Sequence, residues 1–269
     1  MRQHGNAQRL TARSVIASTL LGTTPPRLPG HVLVRAAELF GTSEGTARVA
    51  LSRMVAAGEL EADDGWYSLT GARLLARQSR QESGRAWRTP PAGSWSGCWH
   101  VVIVTAERRA AADRAELRDA LARSRLAELR EGVWVRPDNL DVAWPAVAGE
   151  HCSILLATGL DAAATRALWD VRSWATSARD LRRRLRPLAA PLARGDTDAL
   201  AEGFVVSAAV LRLLQADPLL PAELLPARWP GDALRDDYDS FDAAYRATLR
   251  SWFASNRPPS SPPQPNSTQ

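Results

Sequence analysis

The side chains able to do chemistry in this chain are narrow in kind. All 34 basic residues are Arg, and Lys is absent; that excludes a phosphate-loop lysine and Schiff-base chemistry. No nucleophile elbow, glycine-rich phosphate loop or paired acid/base constellation is present. Cys98, His100, His151 and Cys152 have the residue types of a two-Cys, two-His zinc site. Each pair, however, opens a β-strand, and if the two strands are antiparallel neighbours their beginnings lie at opposite ends. We therefore expect no catalytic residue, no metal ligand and no cofactor. Two cysteines are too few for a disulfide framework, and reduced thiols fit a cytoplasmic location.

Arginine offers recognition chemistry instead. The segment Thr42–Gly58 reads as one helix. Ser43 can cap it by accepting a bond from an unpaired backbone N–H, and Gly58 can adopt the left-handed conformation that ends it. Ala47, Ala50, Leu51 and Met54 recur at the spacing of one buried face. The opposite face carries Gly45, Arg48, Val49, Ser52 and Arg53, a mixture suited to a DNA groove. Gly45 allows close approach, the two Arg reach guanine edges or phosphates, Ser52 bonds to either, and Val49 touches a thymine methyl. The expected DNA-contacting set is Ser43, Gly45, Thr46, Arg48, Val49, Ser52 and Arg53. A solvated amphipathic helix would look similar in isolation, so charge distribution has to help decide. Residues 1–92 hold 12 Arg against 7 acidic groups, whereas residues 93–269 hold 22 of each, so the whole formal net charge of +5 sits in the first third. A nucleic-acid duplex is the natural partner of that segment.

Two further groups could hold a small effector. On the segment Gly132–Pro137, alternation puts Trp134 and Arg136 on one face, opposite Val133 and Val135. An aromatic beside a guanidinium suits an aryl group, an adenine ring or a domain interface. Arg179, Arg182 and Arg183 belong to the densest basic run outside the first domain. That run is either a solvated helix face or a grip for phosphates.

The elements that position these residues follow from periodicity. Helices over 11–21 and 31–40, the second with Leu33, Ala36, Ala37 and Phe40 on one stripe, precede the Arg-bearing helix. Two short strands around Asp63, Asp64 and Gly65 follow it. Three helices and a hairpin make a winged helix-turn-helix. The acidic hairpin tip argues against a wing lying along phosphates. Thr70 reads as the cap of a helix to about Ser83, and the segment 82–96 reads as a linker.

Strands at 99–105, 126–130, 133–136 and 152–157, with a helix at 108–123 and an irregular or helical stretch through Trp144, give the order βαββαβ, a ferredoxin-like arrangement. Asp161 is placed to cap a long helix in which Val171, Trp174, Ala178, Leu181, Leu185 and Leu188 form a coiled-coil-like seam. Helices at 198–215 and 237–253 can pack on it, and the proline-broken stretch 217–231 cannot be a long helix. The expected architecture is α+β multidomain: a winged helix-turn-helix over 1–88, a ferredoxin-like domain over 94–160, a helical domain over 161–254 and a disordered tail over 255–269. No apolar run spans a bilayer, and Met1–Arg9 is polar rather than a signal peptide.

Four stretches carry a resemblance: Ser43–Leu60, Tyr67–Thr70, Gly132–Pro137 and Asp217–Gly231. Together they make the chain similar, over nearly all of residues 11–253, to the PaaX family of bacterial transcriptional repressors, which control phenylacetic acid degradation. The resemblance implies a dimer, a double-stranded DNA operator, a middle domain like the small CRISPR-associated nuclease fold, and an aryl-CoA thioester, phenylacetyl-CoA, as the effector that releases DNA. The alternatives are a metal-dependent nuclease using the ferredoxin-like domain, or a PaaX-like regulator of an unrelated pathway. The nuclease fold has an acidic metal ligand near the end of its first strand. Here Val104, Thr105 and Ala106 supply none, and Glu107 comes only in the loop.

Overall fold

A computed structural model describes residues 11–21, 23, 25–71, 95–105, 110–141, 144–161 and 167–256. The helix expected after Thr70, most of the linker, Glu107 and nearly all of the tail lie outside them. Among the described residues the chain is mixed α+β with two antiparallel sheets. Contacts gather it into two compact units. One comprises Met1–Ser83, Arg183–Ala209 and Asp236–Gln269; the other comprises Gly84–Arg182 and Val210–Arg235.

The first unit opens with α1 (Ala12–Leu21), β1 (Arg27–Pro29), α2 (Gly30–Leu39), α3 (Glu44–Ala56), β2 (Leu60–Asp63) and β3 (Trp66–Leu69). Ile16 and Leu20 of α1, Leu33 and Ala37 of α2, and Ala47, Leu51 and Met54 of α3 form one core with Leu60 and Leu69. Of the residues that the 3.6-residue period assigned inward on α2 and α3, Leu33, Ala36, Ala37, Phe40, Ala47, Leu51 and Met54 are buried and Ala50 is only half-buried. The β2–β3 turn has Asp64 and Gly65 at φ 45° and 74°, the paired left-handed residues that a tight hairpin needs. Strand β1 was not expected. It pairs antiparallel with β3, Leu28 opposite Tyr67, giving the order β1-β3-β2. Three residues ending in Pro show no alternation, which is why the sequence hides it.

The second unit holds β4 (Trp99–Val104), α4 (Ala111–Arg123), β5 (Ala127–Arg130), β6 (Val133–Pro137), α5 (Ala146–His151) and β7 (Cys152–Ala157). The sheet order is β5-β6-β4-β7, with every pairing antiparallel, as in a ferredoxin-like fold. One face packs Val102 and Trp134 against Leu117 and Leu121 of α4. The other packs Trp99 and Val135 against Val171, Leu220 and Leu224.

Three long helices complete the chain: α6 (Val171–Ala193), α7 (Ala199–Gln215) and α8 (Gly231–Ser255). The cap of α6 is a correction: Asp170, not Asp161, accepts from Ser173 N at 3.0 Å. The expected seam of α6 is real, but it is buried within the chain. Val171, Trp174, Ala178, Leu185 and Leu188 are all 9% exposed or less. In the second unit Trp174 Nε1 donates to Leu213 O at 2.8 Å. In the first unit Thr248 of α8 donates to Leu192 O at 2.5 Å. Leu181, the sixth residue expected on the seam, is only half-buried.

Candidate nucleic-acid interface

The side chains that fix α3 lie on its neighbours. Ser43 has extended backbone and its Oγ accepts from Thr46 N at 3.4 Å, so the N-terminus is capped as the sequence implies. The two hydroxyls of Ser43 and Thr46 also meet at 2.9 Å. At the other end Gly58 has φ 65°, and the Thr70 hydroxyl donates to its carbonyl at 3.0 Å. Thr70 thus closes the end of α3 against β3. Glu59, 6% exposed, takes a bond from Arg13 Nε of α1 at 2.9 Å. A charge-assisted pair at a helix end resists rotation of that helix about its own axis.

The face turned away from this core is open. Gly45, Thr46, Arg48, Val49, Ser52 and Arg53 are all exposed, as is Ser43. Val49 is 50% exposed. An added Cβ on Gly45 would meet nothing within 4 Å, so packing inside the protein does not require glycine there. Arg48 is not idle: its guanidinium bonds Glu44 Oε1, one turn earlier, at 2.8 Å. Ser52 Oγ donates to Arg48 O at 3.2 Å and keeps its lone pairs for a partner. The expected set therefore shares one surface.

The hairpin carries a feature that sequence reasoning missed. Arg27 of β1 bonds Asp63 Oδ2 at 2.9 Å and lies 5.5 Å from the centre of the Trp66 ring. The acidic tip is thereby partly neutralised by a guanidinium from another strand. Gly30, at the start of α2, donates from its backbone to Gly65 O at 2.9 Å. A Cβ there would meet the Tyr67 ring at 2.8 Å, so this glycine lets α2 lie against the hairpin.

The residues considered for an effector divide. Trp134 and Arg136 do share a face of β6, but both are buried. Trp134 lies in the core beneath α4 with Arg118 5.7 Å over its ring. Arg136, 2% exposed, donates to Pro137 O, Ser124 O and Asn139 Oδ1 at 3.1, 3.2 and 3.3 Å. Burial, and then the nearby charge of Arg125, lower its pKa to about 10. Neither residue offers a face to a second ring. Arg179 and Arg183 are exposed on α6 and Arg182 is half-exposed; Arg179 donates to Arg228 O at 3.3 Å. At the start of the same helix is a pocket of about 480 Å³ whose walls are Trp169, Val171, Leu224, Leu225 and Pro226, with Asp170 and Arg172 as its charged lining. Nothing in the sequence pattern pointed to it, because its walls bring the start of α6 together with the distant, proline-broken stretch at Leu224–Pro226.

The zinc alternative meets the geometry described for it. Strands β4 and β7 are antiparallel, with Val104 opposite Cys152 and His100 opposite Leu156. His100 Nε2 lies 2.9 Å from Asp138 Oδ1. Among the described residues no three His, Cys, Asp or Glu side chains converge as a metal site requires.

Three family profiles match the chain: "PaaX-like protein" over residues 11–73, "PaaX protein central Cas2-like domain" over 92–155 and "PaaX-like protein C-terminal domain" over 169–257. Among solved structures, an uncharacterized protein, Rv0674, from Mycobacterium tuberculosis is 40% identical, with a TM-score of 0.71 over 90% of this chain and 98% of that one. A comparison with curated proteins gives no match.

Proposed function

Since the chain belongs to the PaaX family, we propose that it is a transcriptional regulator that binds duplex DNA sequence-specifically through α3, with α1–α3 and the β2–β3 hairpin acting as a winged helix-turn-helix. The observation that carries this reading is the division of α3. Ala47, Leu51 and Met54 are buried, while Gly45, Arg48, Val49 and Arg53 are exposed on a helix capped and braced at both ends. Such a helix presents hydrogen-bond donors and one apolar contact in a fixed frame, which is what reading base edges demands. The basic balance of residues 1–92 supplies the sequence-independent attraction to phosphates.

The regulator acts as a homodimer on a two-fold operator, because one winged helix buries too little surface for useful specificity. Its pathway is the degradation of phenylacetate or a related aromatic acid, and its effector is an aryl-CoA thioester that lowers DNA affinity. The pocket beside Trp169 supports an effector reading better than Trp134 and Arg136 do. It is apolar enough for an acyl group, and Arg172 and Arg179 lie seven residues apart on α6, roughly 10 Å along the axis, to meet phosphates. To release DNA, the ligand must favour the DNA-free conformation; a difference of about 1.4 kcal/mol changes operator affinity tenfold.

The test begins with genome-wide mapping of bound fragments, since the genes beside them name the pathway. Fluorescence anisotropy on a recovered duplex then follows titration with phenylacetyl-CoA, free phenylacetate and free CoA. Release by the thioester alone is the expected result. Specific binding with no release by any of the three would leave a regulator that senses another metabolite. Cleavage of the duplex on adding magnesium would replace this reading by the nuclease alternative.

A further inference from the structure

The core shared by α1, α2 and α3 takes Leu33 and Ala37 from α2. Val32, Ala36 and Phe40, spaced four residues apart, are buried as well, so α2 is also covered along a neighbouring stripe. Within the first unit, part of that cover comes from α7. The rings of Phe40 and Phe204 lie 5.3 Å apart between centroids, tilted by 58°, an arrangement that aromatic pairs favour over face-to-face stacking.

Phe40 stands where a small displacement reaches α3. It ends α2 with its N–H bonded to Ala37 O at 3.1 Å, and Gly41 N and Thr42 N bond back to Glu38 O and Ala37 O at 2.8 and 3.0 Å. The turn is thereby stitched to the last turn of α2, and Ser43, the cap of α3, follows directly. Phe204 is held from its own side. Its neighbour Gly203 leaves so little room that an added Cβ would meet the Tyr245 and Phe241 rings of α8 at 3.1 and 3.3 Å. One turn farther along α7, the Ser207 and Tyr238 hydroxyls meet at 3.0 Å, so α7 is fixed against α8 on both sides of Phe204.

We propose that Phe204 is a positioning residue for DNA reading: through Phe40 it fixes the turn that starts α3, so that the α7–α8 pair of this unit sets how the reading helix is presented to a groove. The inference rests on the DNA-reading role proposed for α3 and extends it to a residue on a distant element. Attraction to phosphates depends on charge and tolerates small displacements, whereas bidentate contacts to base edges do not. Loosening the ring pair therefore costs discrimination between sequences before it costs binding. By the same route, a ligand that shifts α7 against α8 acts on the start of α3 without touching it.

The experiment uses the full chain and fluorescence anisotropy on two duplexes, the mapped operator and a scrambled duplex of the same length and composition. The proteins are the wild type, Phe204→Ala, Phe40→Ala, the double variant and Phe204→Leu, at a temperature where circular dichroism shows each of them folded. Phe204→Ala is expected to weaken operator binding about tenfold, within the range usual for coupled sites, and to leave affinity for the scrambled duplex unchanged. The double variant should lose no more than the worse single one, and Phe204→Leu, which restores apolar bulk, should recover most of the loss. Partial unfolding lowers the active fraction for both duplexes alike, so the operator-to-scrambled ratio is a readout that a merely structural role does not move. A folded Phe204→Ala chain with the wild-type ratio overturns the proposal, as do losses that simply add in the double variant. If Phe204→Ala does not fold, Phe204→Val and Phe40→Val take the same cycle under the same two criteria. A wild-type chain with no preference for the operator overturns the DNA-reading role itself and the proposal with it.

Discussion

Gly45→Ala separates the needs of the fold from the needs of DNA. Gly45 is the second residue of α3 with a helical φ, and an added methyl would meet no atom within 4 Å. Within the protein the change therefore removes backbone entropy without a clash. Replacing a helical Gly by Ala stabilises by about 0.5–1 kcal/mol, less where the position is close to the helix end. That corresponds to a rise in Tm of about 1–4 °C. If α3 enters a DNA groove as proposed, the same methyl would occupy the space through which the helix N-terminus approaches it. A loss of at least about 1.4 kcal/mol, or tenfold in Kd, is the expected size. Thermal melting by circular dichroism and anisotropy on a mapped operator measure the two effects on one preparation. A more stable variant that binds as tightly as the wild type refutes the close approach of α3. A less stable variant refutes the packing argument itself.

Arg48→Ala and Arg53→Ala should each weaken operator binding by about 1–3 kcal/mol where the side chain reads a base edge, and unchanged affinity in both at physiological salt would remove α3 as the reading helix. Asp63→Ala frees Arg27 from its pair at the hairpin tip and should leave operator affinity equal or higher; a clear loss in the same assay would mean that the acid itself contacts bases. Gly30→Ala drives a methyl into the Tyr67 ring and should cost about 1–3 kcal/mol in chemical denaturation; a smaller loss would show that the ring swings aside. Asp217→Asn leaves the guanidinium of Arg235, whose side chain is only 8% exposed, without its buried carboxylate partner, and should destabilise by about 3–5 kcal/mol; a neutral result would show that Asp232, which also bonds Arg235, is a sufficient counterion.

Much of this was legible in the chain because it rests on local rules. Ser43 and Gly58 delimit α3 by capping chemistry that acts within a few residues, and Ala47, Leu51 and Met54 mark its inner face by period alone. The βαββαβ order follows from the alternation of strands and helices, and the pairing of β4 with β6 and β7 follows from that order. What was hidden depends on distant partners. β1 is a strand only because β3 lies beside it, and Arg27 matters only because that pairing brings it to Asp63 and Trp66. Alternation correctly put Trp134 and Arg136 on one face, yet no local pattern reveals that α4 covers the first and that main-chain carbonyls take the second. The seam of α6 was equally visible from its period, and Val171, Trp174, Ala178, Leu185 and Leu188 are buried as it implies.

Under the proposed DNA-reading role of α3, the ion pair between Arg48 and Glu44 would also bear on how quickly a binding site is found. A chromosome offers about a million or more wrong sites for each right one, and a freely mobile guanidinium on the reading helix would adhere to all of them through phosphate. Held by an exposed carboxylate one turn away, in a pair of a kind worth about 0.3–0.5 kcal/mol, Arg48 would give up that bond to meet a phosphate. A guanine edge, accepting two parallel hydrogen bonds, can draw it off. If α3 reads DNA as proposed, the acid beside Arg48 would lower the residence time on irrelevant DNA more than on the operator, and Arg48 would be held back until the right sequence comes beneath it.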